Sequence, residues 1–104
     1  MNKIEYIENL IRGIAKDNKS IKSIIFDPNA NLSLNNLKNT WYFLSEKDFG
    51  LYLNSHISNN SYQKVVFMVD YLNSISPETK KSIKNLVYNC QKSNIAVINL
   101  STIN

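Results

Sequence analysis

Two aspartates are the side chains of this 104-residue sequence that are best placed to do chemistry, because each follows an apolar run. Asp27 follows residues 21–26 (IKSIIF), and Asp70 follows residues 64–69 (KVVFMV). Each run predicts a buried strand. A strand that ends in an acid is how nucleotide-binding α/β domains build a site at the carboxyl edge of a sheet. The alternative, which we favour, is structural: Asp27-Pro28 is typical of a turn, and Asp70 of a polar strand end that caps a loop.

The other reactive side chains lack the partners that chemistry requires. His56 is the only histidine and Cys90 the only cysteine, so a histidine metal cluster and a disulfide are both excluded. Cys90 lies on a predicted apolar helical stripe, which indicates a structural thiol. The sequence also shows no paired acid and base. We therefore expect no enzyme activity, no cofactor and no metal.

Composition and length limit the class of protein. The chain is 43% hydrophobic and 19% charged, as globular proteins are, and its length predicts a single domain over residues 1–104. No apolar run approaches the length of a membrane span, and no signal-peptide core is present, so we expect a cytoplasmic protein without membrane contact. The formal charge of +4 is spread along the chain, which favours weak polyanion attraction over a dedicated nucleic-acid patch.

Hydrophobic periodicity predicts four strands that alternate with helices. Helices are predicted over residues 2–16, 46–57 and 77–91, capped by Asn2 with Glu5, Ser45 with Asp48, and Ser76 before Pro77. Strands are predicted over residues 21–26, 41–44, 64–69 and 95–100, and a weak helix over residues 33–38. This alternation predicts a three-layer α/β fold, with about four parallel strands, right-handed crossovers and helices on both faces.

Four segments, taken in chain order, carry motifs of an ATPase core. They are residues 26–33 (FDPNANLS) in the place of a phosphate loop, residues 65–70 (VVFMVD) as the second nucleotide motif, residues 75–87 (ISPETKKSIKNLV) as the helix after it, and residues 99–102 (NLST) as a γ-phosphate sensor. Over residues 3–102 the chain thus resembles the core of an AAA+ ATPase of the clamp-loader and helicase-loader branch. The resemblance implies a P-loop NTPase-like core, here without the family's fifth strand and lid.

The departures from the family pattern concern the residues that perform its chemistry. A phosphate loop needs glycines, a Lys on the phosphates and a Ser or Thr on Mg²⁺. Residues 27–37 contain neither Gly nor Lys, and Asp27 would bring a negative charge to the phosphates. Tyr71 stands where the family has its water-activating Glu. Asp27, Pro28 and Asp70 are therefore interpreted as vestigial positions that bind no nucleotide.

Aromatic and basic side chains are the candidates for a binding surface. They are Trp41, Tyr42 and Phe43 on the second predicted strand, which the resemblance implies is an edge strand, together with Tyr71 and the lysines Lys80, Lys81 and Lys84. Exposed aromatic residues are favoured at interfaces, whereas core packing of the aromatics and a solvated lysine face are the structural alternatives.

The function expected from these residues and from the resemblance is non-catalytic. We expect an AAA+-like mimic that binds and modulates or inhibits a cellular ATPase or a replication factor, of the kind that a phage or mobile element encodes. The alternative is a residual nucleotide- or nucleic-acid-binding module. A homodimer through an open sheet edge is a further alternative.

Overall fold

The computed structural model describes residues 2–17, 20–34, 37–56, 63–70, 77–92 and 95–102. Helices and strands alternate along these residues in the order α1 (Lys3–Asp17), β1 (Ile21–Phe26), β2 (Thr40–Phe43), α2 (Glu46–His56), β3 (Gln63–Val69), α3 (Pro77–Lys92) and β4 (Ala96–Leu100). Neighbouring strands are all parallel, in the order β2-β1-β3-β4. The predicted α/β fold with a four-stranded parallel sheet is thereby confirmed.

Side-chain caps begin two of the helices where the sequence predicts them. The Glu5 backbone N–H donates to Asn2 Oδ1 at 2.8 Å, and the Asn2 amide donates to Glu5 Oε1 at 3.4 Å. At α2 the Asp48 backbone N–H donates to Ser45 Oγ at 3.4 Å. α3 begins at Pro77, as predicted, whereas its predicted cap, Ser76, lies outside the described residues.

The sheet separates two apolar cores, which gives the fold three layers. Alternate residues of β1 and β3 face opposite sides, as strand geometry requires. Under α2 and α3 the buried cluster comprises Ile24, Phe26, Phe49, Leu53, Val66, Met68, Ile83, Cys90 and Ile95. On the opposite face, under α1, it comprises Ile7, Ile11, Ile25, Leu32, Phe67 and Val69. Burying each large apolar side chain stabilises the fold by about 1.5–3 kcal/mol.

The predicted helix over residues 33–38 is wrong for the described part of that segment. Ser33, Leu34 and Leu37 have no helical backbone, and residues 35–36 lie outside the described chain. α1 competes for the backbone groups that a helix would use: Glu8 accepts the Ser33 N–H, and Arg12 Nη2 donates to the Ser33 carbonyl at 2.9 Å. The leucines of this segment pack into the core under α1 instead.

Smaller differences concern element ends and one apolar position. β2 begins at Thr40 and ends at Phe43, one residue before the prediction, and Leu44 is exposed. β4 begins at Ala96, whereas Ile95 is buried just before it. Leu10 of α1, although apolar, is 38% exposed. No helix in the described part of the chain combines the length and apolarity that a membrane crossing requires.

The order of the strands places β1 directly between β2 and β3. This is the order of open doubly wound sheets of the flavodoxin type. β1 and β3 pair in register from Ile21 with Gln63 to Phe26 with Met68.

Candidate functional site at the carboxyl edge of the sheet

Asp27 and Asp70 lie at the carboxyl ends of two adjacent strands, β1 and β3. The chain leaves β1 towards β2 on one side and leaves β3 towards β4 on the other. In open α/β sheets the crevice at such a divergence is the usual place for a ligand. Sequence and topology thus agree on where a site would lie.

Asp27 is fully buried and accepts hydrogen bonds from its own loop. Its Oδ1 accepts the backbone N–H of Asn31 at 3.1 Å, and its Oδ2 accepts that of Leu32 at 2.9 Å and the Tyr42 hydroxyl. The loop turns through Ala30, which has a φ of 52°. Consecutive backbone amides of this kind hold phosphate in phosphate loops. Here they hold the Asp27 carboxylate.

Asp70 connects the ends of β3 and β4. Its Oδ1 accepts the Thr102 backbone N–H at 2.9 Å, and its Oδ2 accepts the Thr102 hydroxyl. Its own backbone N–H donates to the Leu100 carbonyl at 3.0 Å. Asp70 is 8% exposed and has a φ of 49°, a left-handed conformation that Asp tolerates better than most residues. The carboxylate therefore caps the sheet edge.

Asn31 joins the two aspartates. Its backbone N–H donates to Asp27, and its side-chain Nδ2 donates to Asp70 Oδ2 at 2.9 Å. A single uncharged residue from the loop after β1 thus spans the ends of β1 and β3. The crevice between these strand ends is closed by the chain's own loop.

Tyr42 and two residues of α1 complete the network around this loop. Burial raises the pKa of Tyr42, and its hydrogen bond to Asp27 and the negative charges of Asp27 and Glu8 raise it further. Glu8 is 8% exposed, accepts the Ser33 N–H and lies 4.0 Å from the Arg12 guanidinium. α1 therefore holds the loop after β1 through Ser33.

The sequence indicated only part of this network. It singled out Asp27 and Asp70, and it placed Thr102 in a polar strand end, but Asn31 and Glu8 were missed. A signal existed for Glu8, because helical spacing puts this acid beside the buried Ile7, Ile11 and Ala15 of α1. Asn31 gave no signal, since its partner Asp70 is 39 residues away.

Metal chemistry finds no support in the described residues. No group of three or more His, Cys, Asp and Glu side chains among them is placed to hold a metal ion. Cys90 is 1% exposed, and burial raises the pKa of its thiol. The side chain of His56 lies outside the described part of the chain.

The aromatics of β2 pack in part against neighbouring side chains. β2 is an edge strand of the described sheet, and Trp41, Tyr42 and Phe43 are each half-buried. The Trp41 ring stacks on the Tyr52 ring, with 6.0 Å between their centroids. The centroid of the Phe43 ring lies 5.2 Å from that of Tyr52. Tyr42 is committed to Asp27. The structural alternative, core packing, describes these contacts, and Tyr71 lies outside the described residues.

The lysines of α3 lie on the same helix as an exposed aromatic residue that the sequence analysis did not single out. Lys81 and Lys84 are exposed and Lys80 is half-buried. Tyr88, one helical turn after Lys84, is 65% exposed. We call Lys81, Lys84 and Tyr88 the α3 outer face. Tyr88 could have been found from its position on the polar side of the helix.

Comparison with known proteins gave no family for this chain: no family model, no curated protein and no solved structure matches it.

Proposed function

We propose that this chain is a non-catalytic protein-interaction domain. The observation that carries the proposal is the closed crevice at the carboxyl edge, where Asn31 joins the buried Asp27 and Asp70. A ligand site at this edge would need free donors for an anion or free carboxylate oxygens for a metal. Both aspartates instead have hydrogen-bond donors on each of their oxygens.

Nucleotide binding would have to displace these contacts. The amides of Asn31 and Leu32 already hold Asp27, and a phosphate in the same place would face a buried negative charge. A Mg²⁺ ion at Asp70 would have to replace hydrogen bonds from Thr102 and Asn31. The expected affinity for ATP-Mg²⁺ is therefore negligible.

The α3 outer face is the docking surface that we propose. It combines two exposed cations with an exposed ring, and aromatic residues are enriched at the centres of interfaces. Its charge fits an acidic protein surface. By the resemblance in motif order, this partner is an AAA+ ATPase or another replication factor, which the chain would inhibit by occupying a subunit's place.

Binding to a purified candidate ATPase tests the proposal. We expect a complex that Lys81→Glu with Lys84→Glu abolishes and that Tyr88→Ala weakens. Lys16→Glu with Lys47→Glu changes the net charge equally at exposed positions elsewhere, and it should leave the complex intact. Calorimetry with ATP-Mg²⁺ should give no heat of binding. Measurable nucleotide binding that Asp27→Ala or Asp70→Ala abolishes would overturn the proposal.

A second candidate function is the binding of single-stranded nucleic acid, which the exposed Tyr88 ring and the lysines of the α3 outer face favour. Proteins that bind single strands stack bases on aromatic side chains and neutralise phosphates with cations. Anisotropy with a labelled oligonucleotide distinguishes the two candidates, because phosphate-driven binding weakens steeply as salt rises. Binding with a steep salt dependence, lost in Tyr88→Ala, would favour nucleic acid over a protein partner.

A further inference from the structure

β4 forms one edge of the described sheet. One hydrogen bond shows which of its backbone groups point towards β3 and which point away from the sheet. The Leu100 carbonyl accepts the Asp70 N–H, so the backbone groups of Leu100 point towards β3. Backbone groups alternate in direction along a strand, so those of Ala96 and Ile98 point the same way. Val97 and Asn99 therefore direct their N–H and C=O groups away from the sheet.

Within the described residues, the strand β4 itself carries no feature that prevents pairing. Natural edge strands carry charges, prolines or bulges that prevent another strand from adding. Ala96–Leu100 contains no charged residue, no Pro and no Gly, and none of its residues has a positive φ. On the face shared with α1, Ala96 is exposed and Ile98 is 37% exposed.

We propose that β4 pairs antiparallel with β4 of a second copy of this chain, around a two-fold axis at Ile98. This register sets Val97 opposite Asn99 of the second copy, and the reverse. Both residues direct their backbone groups outwards, so each pair can exchange two hydrogen bonds. The sheet then continues through eight strands.

The side chains of β4 are complementary to themselves in this register. Ile98 lies opposite Ile98 of the second copy, and Ala96 lies opposite Leu100, so every pair on the α1 face is apolar. Opposite side chains on one face of such a pair are in contact and stabilise it. Because an interface with two-fold symmetry uses the same patch on both copies, the pairing stops at a dimer.

Charge on α3 gives this interface a distinctive salt dependence. The groove between α2 and α3 is lined by Ser82, Leu86 and Asn89 of α3, so Lys80 and Lys84 lie on the opposite flank. α2 packs at the β2 end of the sheet, so this lysine flank points towards β4 and approaches its equivalent in the dimer. Added salt screens that repulsion and should tighten the dimer.

Sedimentation velocity of the full chain tests the pairing. We expect a dimer that tightens with salt, the reverse of binding to an acidic partner. Asn99→Pro removes only an outward N–H, which an edge strand tolerates, and should give a folded monomer by circular dichroism. Asn99→Ala retains that N–H and should remain dimeric. A wild-type monomer at every concentration, or a dimer that persists in Asn99→Pro, would overturn the proposal.

A cross-link identifies the axis. Opposite residues of a non-hydrogen-bonded antiparallel pair lie about 4.5 Å apart at Cα, within disulfide range. Ile98→Cys should therefore oxidise to a covalent dimer, whereas Leu51→Cys, exposed on α2, should not. The unmodified chain is the background control, because Cys90 is buried. Cross-linking equal to that of Leu51→Cys would exclude an axis at Ile98. Failure of the dimer proposal would leave the proposed docking function of the α3 outer face untouched, because the Lys81 and Lys84 variants test that function separately.

Discussion

Buried carboxylates need hydrogen-bond donors, and the two aspartates of this protein obtain them from different sources. Asp27 uses two backbone amides of its own loop and the hydroxyl of Tyr42. Asp70 uses Thr102 beyond the neighbouring strand and the side chain of Asn31. An uncompensated buried charge would cost several kcal/mol. These donors therefore compensate the burial of both carboxylates at the sheet edge.

Replacing Asp27 with Asn should destabilise the protein. The amide retains one acceptor oxygen and directs an NH₂ group at a donor that the carboxylate satisfied. We expect a loss of about 3 kcal/mol in the free energy of unfolding, from one buried donor left unpaired and weaker bonds to the others. Urea denaturation measures it. Asp17→Asn, at an exposed position, is the control, and an equal effect in both variants would contradict the network.

Tyr42 should make stability fall at alkaline pH. Its folded-state pKa lies above the ordinary value of 10.0, chiefly because of burial. Above about pH 10 the unfolded chain releases the Tyr42 proton while the folded chain keeps it, so the free energy of unfolding decreases as pH rises. Burial raises the pKa of Tyr52 in the same direction. Tyr42→Phe should show a shallower alkaline decline in urea midpoint, and an unchanged slope would contradict a raised pKa of Tyr42 in the folded chain.

The segment between β1 and β2 is the element whose conformation depends most on distant residues. Glu8 and Arg12 of α1 hold the backbone of Ser33, and Leu32 is buried in the core under α1. Local propensity gave only a weak helix here, because Asn-rich sequence favours turns as much as helices. The regular elements were predictable because their apolar periodicity and capping residues lie within the element itself. The segment's true conformation was not, since its contacts come from α1.

The two confirmed caps should differ in strength. Asn2→Ala at α1 should cost about 1 kcal/mol of unfolding free energy, since it removes a 2.8 Å bond to the Glu5 N–H. Ser45→Ala at α2 should cost less, because the corresponding bond is 3.4 Å long. Urea denaturation of both variants under one set of conditions measures the difference. The reverse order of costs would mean that the distances do not report cap strength.

At the scale of the whole molecule, the order of the strands was the feature that the sequence could not provide. Alternating helices and strands predict a parallel sheet, and the described strands are all parallel. Which strand lies beside which depends on how the helices share two faces, and no local pattern contains this information. Asp27 and Asp70 could be expected at one edge from the sequence alone, because any order of parallel strands brings their carboxyl ends to the same edge. Asn31 can close the crevice between Asp27 and Asp70 because β1 lies beside β3.

Cys90 offers a probe of global unfolding. The thiol is 1% exposed in the core under α3, and its pKa is raised by burial, so the reactive thiolate is scarce in the folded chain. We expect alkylation of Cys90 at the rate at which the core opens, and immediately in urea. In Leu51→Cys, the new thiol should react at once and Cys90 slowly. Equal rates in the native protein would show that the core under α3 is not closed.

The bonds of Asp70 are expected to form late in folding. Its partners Thr102 and Asn31 are 32 and 39 residues away, so these contacts require β1, β3 and β4 to be in place already. We expect them to form after the rate-limiting step. Thr102→Val should then accelerate unfolding and leave the folding rate nearly unchanged, as stopped-flow fluorescence of Trp41 can measure. A slower folding rate instead would place this edge in the folding nucleus. The hydrogen bonds of Asp70 would thus slow unfolding and so give the native state kinetic stability.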